Sequence, residues 1–497
     1  MGGEMAHWNL HYEYPAEMMG AKAKGIARMW NLNLPVPEGF VYPTDYTFET
    51  PPTFREEVGS HVRLLADRTK RRWNNPQKPL TVSVRSGAPV SMPGMMDTIL
   101  NVGMNRDLID GLTEHMRADN RAFALDCYRR LIQMFGTCVD AIDKSAFDEY
   151  YSAARIFYQD QLYSTERACE VLVDKFEMVY ERETGRCFPQ NPTTQLYDAV
   201  MAVFGSWANP AAHSYREANG IPHHLGTAVI VQEMVYGNCN TQSGTGVVFT
   251  HNPNTGTKGA YGEFIVQAQG EDVVAGTHAT TGIDKLFESK DFGEAPRDLR
   301  KALSKLYNNF GDMLDIEFTI QNGELYLLQC RPAKRSRRAT VHYVMDLVRN
   351  GTMSIDDGTA QIIELLPSVE TMRLDGDLLH LVRGVPVCGA KVAAPIAIGS
   401  AAAAEYMAQG KPFIFVTHET SPSDHVEMAA SVGILTAAGG TLSHAAVIAR
   451  SWDKTCVVGA DIKVSTGDGY VIIDQLKLVN GDVIQIDGET GDVYRPQ

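Results

Sequence analysis

The sequence predicts a multidomain α/β protein. Three observations carry this. The chain has 497 residues, enough for roughly three domains of about 150 residues each. Short apolar runs with strand character alternate with longer stretches of helical periodicity. The composition shifts near Gly384, where a block rich in small residues and short strands, "GVPVCGAKVAAPIAIGSA", begins and runs to Gln497.

From Met1 to about Asn105 the pattern is mixed. "GAKAKGIARMWNLNLPVPEGFVYP" reads as a glycine turn, a helix, then a Pro-punctuated loop into a strand. "PLTVSVRSGAPVSMPGMMDTILN" is a β-rich run that breaks into a loop holding Gly87, Pro89, Pro93 and Gly94. From about Arg106 to Asn219 the periodicity is helical, as in "RAFALDCYRRLIQMFGTCVDAI". Strands return from Gly226, with "TAVIVQEMV", "GTGVVFT" and "YGEFIVQA". They close with a hairpin, "DIEFTI" and "ELYLLQCR" around "QNG". "VHYVMDLVRNGTMSIDDGTAQIIELL" reads as a helical connector.

Charge and cysteine content narrow the function classes. Lys plus Arg is 45 and Asp plus Glu is 60, a formal net charge of −15. That balance argues against a general nucleic-acid or membrane-surface binder, while leaving room for a local basic pocket. The eight cysteines are scattered, with no CxxC pair and no metal-like spacing with histidine. They read as reduced thiols, and the expected location is cytoplasmic. The sequence shows no signal-peptide pattern and no apolar run long enough to span a bilayer.

The most informative stretch is "GGTLSHAAVIAR", Gly439 to Arg450. "VGILTAA" before it reads as a buried strand, and "AAVIAR" after it is helical in composition, so His444 is expected where a strand turns into a helix. The first turn of a helix offers free N–H groups and the positive end of the dipole. That field disfavours imidazolium, so His444 is expected to be neutral and nucleophilic. The competing reading is a packed, inert histidine at the helix start.

The second signal is polar residues interrupting apolar strands. Asp315 and Glu317 share one face of a hairpin arm, and Gln329 and Arg331 share one face of the other. The two carboxylates and the Gln329 amide oxygen can converge to hold Mg²⁺, and Arg331 can clamp phosphate. An exposed hairpin face with a surface ion pair is the alternative. Arg85 ends a β run, and the loop "SMPGMMDT" can bring N–H groups to a phosphate, although it is neither a Walker A loop nor a dinucleotide fingerprint. Lys22 can reach a phosphate or be solvated.

These pieces together resemble the pyruvate phosphate dikinase family. The stretches that carry the resemblance include "SVRSGAPVSMPGMMDTILNVGMN", "CYRRLIQMFG", "SGTGVVFTHNPNTG", "YGEFIVQAQGEDVVAG", "DIEFTIQNGELYLLQCRPAKR", "ETSPSDH" and "GILTAAGGTLSHAAVIAR". They occur in the family's order over nearly the whole chain. The resemblance implies an ATP-grasp nucleotide-binding domain over residues 1–335 with a helical insertion at about 106–219, a helical linker over 336–383, and a swivelling phosphohistidine domain over 384–497. It implies that His444 takes a phosphoryl group from ATP and passes it on. Lys22, Arg85, Gly94, Met95 and Met96 match the family's phosphate contacts. Gln232, Glu233 and Met234 match the strand that meets adenine, and Glu271 matches an acidic nucleotide-site position. Glu317 and Gln329 match metal and phosphate contacts, and Arg331 the arginine that steadies the transferring charge.

There are departures. Leu442 stands where the family usually has a threonine that can be a control point, so phosphorylation control there is not expected. Gly205 stands where an arginine is common, which puts one phosphate-side contact in doubt. The sequence stops where the phosphohistidine domain should finish, so the chain alone is expected not to convert pyruvate. The expected function is ATP-dependent autophosphorylation of His444, with phosphate as co-substrate and AMP and pyrophosphate as products. The phosphoryl group would then pass to an acceptor that is free or bound by another chain, by a swing about a connector near Pro367 to Gly384. A kinase of another small molecule, or a non-catalytic nucleotide-sensing protein on the same scaffold, are the alternatives.

Overall fold

A computed structural model describes residues 9–92, 94–158, 165–275, 280–354, 357–358, 361, 377–409 and 411–496. It is mixed α/β, and among the described residues the strands form four sheets. The first contains β1 (Gly39–Tyr42), β2 (Val82–Gly87), β3 (Thr98–Val102) and β4 (Ala228–Glu233), in the order β1-β4-β2-β3 and antiparallel throughout. The second contains β5 (Gly244–His251), β6 (Lys258–Val266), β7 (Thr281–Gly282), β8 (Leu314–Gln321) and β9 (Glu324–Pro332), again antiparallel, in the order β7-β6-β5-β8-β9. Between Glu233 and Gly244 the chain passes from one sheet to the other.

Helices fill the sequence between β3 and β4, including Ala122–Val139, Glu166–Thr184, Pro192–Gly205 and Pro210–Ala218. Their apolar faces and the first sheet share one core, with Tyr128, Phe135, Phe176 and Val231 inside it. A second core lies between the five-stranded sheet and the helices Ala16–Asn31 and Ala295–Phe310.

The helix Ala16–Asn31 starts before the expected glycine turn and breaks at it. Gly20 has φ 78° and ψ 157°, outside the helical region. A Cβ there would stand 1.7 Å from the Gly87 carbonyl oxygen. Only glycine therefore lets this helix close on the end of β2, where Ala21 N–H bonds to Ala88 O at 3.0 Å. That contact brings Lys22 towards Arg85.

The hairpin of β8 and β9 turns through Asn322 and Gly323, both with positive φ, as a tight two-residue hairpin turn requires. The ladder slips by one residue after Glu317, which pairs with Gln329, while Phe318 pairs with Leu327. Leu328 is the extra residue of this bulge, and its carbonyl turns out of the ladder.

The C-terminal block is built on β10 (Leu378–Arg383), β11 (Val385–Cys388), β12 (Lys391–Ile398), β13 (Ile414–Thr417), β14 (Gly433–Thr436), β15 (Thr455–Val458), β16 (Ile462–Ser465), β17 (Tyr470–Ile473), β18 (Leu476–Val479), β19 (Val483–Asp487) and β20 (Asp492–Pro496). The strands β12 to β15 run parallel and are joined by crossover segments containing the helices Gly399–Ala408, His425–Ala430 and His444–Trp452. His444 is the first residue of its helix, beyond the C-terminal end of β14, as its sequence predicts. In parallel α/β sheets, that end of the strands is where sites form. The helix Arg337–Arg349 follows β9, but most of the proposed hinge, Pro367 to Gly384, lies outside the described residues.

Candidate functional site

A cavity of about 780 Å³ opens between the two antiparallel sheets and is covered on one side by the His444 loop. Twelve of the thirteen site residues that the resemblance implies line it. Lys22 comes from the helix Ala16–Asn31, and from the first sheet and its loops come Arg85, Gly94, Met96, Gln232, Glu233 and Met234. From the second come Glu271, Glu317, Gln329 and Arg331, and from the C-terminal block His444. Met95 is the exception. Its side chain is 3% exposed and packs in a core with Met428 and Ala445 instead.

The polar floor is an alternating charge array. Arg85 Nη2 donates to Glu317 Oε2 at 2.9 Å, and Nη1 donates to the bulge carbonyl of Leu328 at 3.1 Å. Arg331 Nε donates to Asp315 Oδ2 at 2.8 Å. Antiparallel partners face the same way, so Glu317 with Gln329 and Asp315 with Arg331 converge as the alternation predicts. Burial raises the Glu317 pKa, but Arg85, Arg331 and Lys22 outweigh it and the net shift is downward. Asp315 shifts upward because burial wins over Arg331. Lys22 is half-buried rather than solvated. Burial and the neighbouring Arg85 lower its pKa to about 7, against the pull of Glu317. An anion entering here would meet cations already fixed in place.

The opposite end of the cavity is partly apolar, with Leu100, Met134 and Val273 in its wall. Gln232 is held between Arg85 and the Pro37 carbonyl, its Nε2 donating to the latter at 3.1 Å. The Glu233 carboxylate is tied to Arg71 at 2.5 Å. Glu271 is held by Arg130, which also pairs with Asp272 at 2.9 Å and Asp126 at 2.7 Å. Sequence reasoning missed Arg130. Its signal was the charged pair in "CYRRLIQ", inside an otherwise apolar helical run.

His444 completes the cavity. Its Nδ1 lies 3.2 Å from Thr420 Oγ1, and its Nε2 is buried without a hydrogen-bond partner among the described residues. The pKa falls to about 4, chiefly through burial and then the nearby His425, with Asp424 opposing. The expected neutrality holds, although burial is its main cause. Gly94, at φ 71°, lies against the ring: a Cβ there would stand 3.6 Å from His444 Cδ2, in ordinary contact.

The block that carries His444 is docked by specific contacts. Thr441 Oγ1 donates to Glu263 Oε1 at 3.0 Å, and Arg450 Nε donates to Asn254 Oδ1 at 2.8 Å. Leu442, 8% exposed, is inserted among Phe249, Val273 and Tyr343.

The family described as pyruvate phosphate dikinase, AMP/ATP-binding domain, matches residues 47–286 and 288–351. The chain belongs to the pyruvate phosphate dikinase family. Residues 409–491 match a second family, the PEP-utilising enzyme mobile domain. The chain is 40% identical to the chloroplastic pyruvate, phosphate dikinase of Flaveria pringlei, over 96% of this chain and 51% of that protein. It is 38% identical to the pyruvate, phosphate dikinases of Giardia intestinalis and Rhizobium meliloti (strain 1021), over 96% of this chain and 56% of each. The chain thus spans about half the length of these dikinases. Among the described residues no helix is long and apolar enough to cross a membrane.

Proposed function

We propose that this chain is an ATP-dependent phosphotransferase that phosphorylates its own His444. One observation carries the reading: an imidazole nitrogen with no hydrogen-bond partner among the described residues, on a ring that stays neutral down to about pH 4, belongs to a side chain lining the same cavity as a preformed cationic phosphate clamp. A binding-only protein has no use for both.

ATP would lie with its base towards Gln232, Glu233, Met234 and the apolar wall. Its phosphates would lie over Lys22, Arg85, Arg331 and the Gly94–Met96 loop. The oxygen donors of Glu317 and Gln329, with the buried Asp315 Oδ1 that has no hydrogen-bond partner among the described residues, suit a hard divalent cation. Mg²⁺ bound there would neutralise phosphate charge and orient the phosphates. Nε2 attacks the β-phosphorus and forms an N–P bond, and the bond to the α–β bridging oxygen breaks. That electron pair leaves with AMP. Transfer of the terminal phosphoryl group to inorganic phosphate gives pyrophosphate and leaves the β-phosphoryl group on His444. Arg331 steadies the charge that develops on the transferring oxygens. The relatives are named for pyruvate, so pyruvate is the first acceptor to test.

His444→Asn tests the assignment. It should abolish acid-labile, base-stable labelling by ATP while leaving nucleotide binding intact. Full labelling of that variant would exclude His444.

A further inference from the structure

The two ring nitrogens of His444 face different surroundings. Nδ1 is 3.2 Å from Thr420 Oγ1, whereas Nε2 is buried with no hydrogen-bond partner among the described residues. A neutral imidazole carries its proton on one nitrogen and its in-plane lone pair on the other. The Thr420 hydroxyl therefore decides which nitrogen can attack. If it donates to Nδ1, the proton sits on Nε2 and an N–H is presented to the nucleotide. If it accepts from Nδ1–H, Nε2 keeps the lone pair.

The fold fixes the loop that carries this hydroxyl. Thr420 is 7% exposed and follows β13. On one side, Thr417 Oγ1 donates to Glu419 O at 3.3 Å. On the other, Ser421 N–H and Oγ both donate to Asp424 Oδ2, at 2.7 and 2.9 Å, closing a capping box. The threonine backbone is thus held on both sides while its hydroxyl hydrogen is free to rotate.

We propose that Thr420 is a positioning residue for phosphoryl transfer: its hydroxyl accepts the Nδ1–H of His444 and so holds the tautomer and ring orientation that leave Nε2 free to attack. The inference rests on the reading of His444 as the phosphoryl acceptor. In the transfer step the Nε2 lone pair forms the N–P bond and the departing oxygen takes the broken bond's electrons. The proton stays on Nδ1, and the ring gains positive charge. The accepting hydroxyl stabilises that charge, so Thr420 acts on the transition state as well as on the tautomer.

The experiment uses isotope-labelled histidine in the full chain. The proton position on His444 is read from its two ring-nitrogen resonances, assigned by His444→Asn, in wild type, Thr420→Val and Thr420→Ser. Single-turnover labelling from ATP is measured on the same proteins. The wild type should carry its proton on Nδ1. Thr420→Val should lose that preference and label about 10–100-fold more slowly, the range seen when the partner that orients a metal-bound imidazole is removed, with ATP affinity unchanged. Thr420→Ser should restore both. A wild-type proton on Nε2, or a Thr420→Val protein with wild-type tautomer and rate, overturns the proposal. A wild-type proton on Nδ1 with the label on another residue overturns the role of His444, and Thr420's part in transfer with it, while supporting the tautomer assignment.

Discussion

Arg450 Nε donates to Asn254 Oδ1 at 2.8 Å, and Asn254 Nδ2 donates back to the Pro386 carbonyl at 3.3 Å. One asparagine in the turn between β5 and β6 thus holds the C-terminal block at two points. Arg450 is 2% exposed. A hydrogen bond to such a charged group contributes about 1.5–3 kcal/mol. Asn254→Ala should therefore slow His444 labelling by about tenfold or more without weakening ATP binding. Rapid-quench labelling beside nucleotide titration checks this. A loss confined to ATP affinity would remove Asn254 from docking.

Leu442 should act as an apolar anchor for the same pose. Leu442→Thr places a hydroxyl among Phe249, Val273 and Tyr343, at a cost of about 1–3 kcal/mol. Labelling should slow accordingly. A crosslink between the His444 loop and the Gly94 loop should form less readily. Unchanged crosslinking and rate would show that Leu442 is a passenger.

The charge array predicts a separation of effects. Arg331→Ala should slow transfer by about 10² or more, the worth of one charge-stabilising donor in a dry site. Glu317→Gln should raise the Mg²⁺ concentration needed for half-maximal labelling and leave Arg85 without its carboxylate partner. A wild-type transfer rate for Arg331→Ala, or an unchanged Mg²⁺ requirement for Glu317→Gln, would contradict the site.

The pH dependence follows from His444. Its pKa is lowered to about 4 in this pose, from the ordinary imidazole value of 6.5. A group whose pKa is depressed by burial as the neutral form favours the docked pose above its free value. Docking should therefore be fully favoured above pH 6.5 and weaken progressively as pH falls from 6.5 towards 4. His444→Asn should flatten this part of the profile, read as crosslinking yield against pH. An unchanged profile in that variant would assign the dependence to another group.

Much of this was legible in the sequence because period and chemistry agreed. Alternation in "DIEFTI" and "LLQCR" put Asp315, Glu317, Gln329 and Arg331 on one face, and the ladder keeps them there. The strand–glycine–helix pattern placed His444 at a helix start. What escaped was set by tertiary contact. Nothing local marks Arg130 as the partner of Glu271, 141 residues away. The Leu328 carbonyl reaches Arg85 only because the ladder slips. Met95 is turned from the cavity by packing against the C-terminal block, which sequence alone does not position.

The central claim is that His444 takes the β-phosphoryl group of ATP. Incubation of the chain with Mg²⁺, phosphate and ATP labelled separately at the β or γ position tests it most directly. The β label should appear on His444 with AMP released, and the γ label should appear in pyrophosphate. A γ label retained on His444 with ADP as the only nucleotide product would contradict the account.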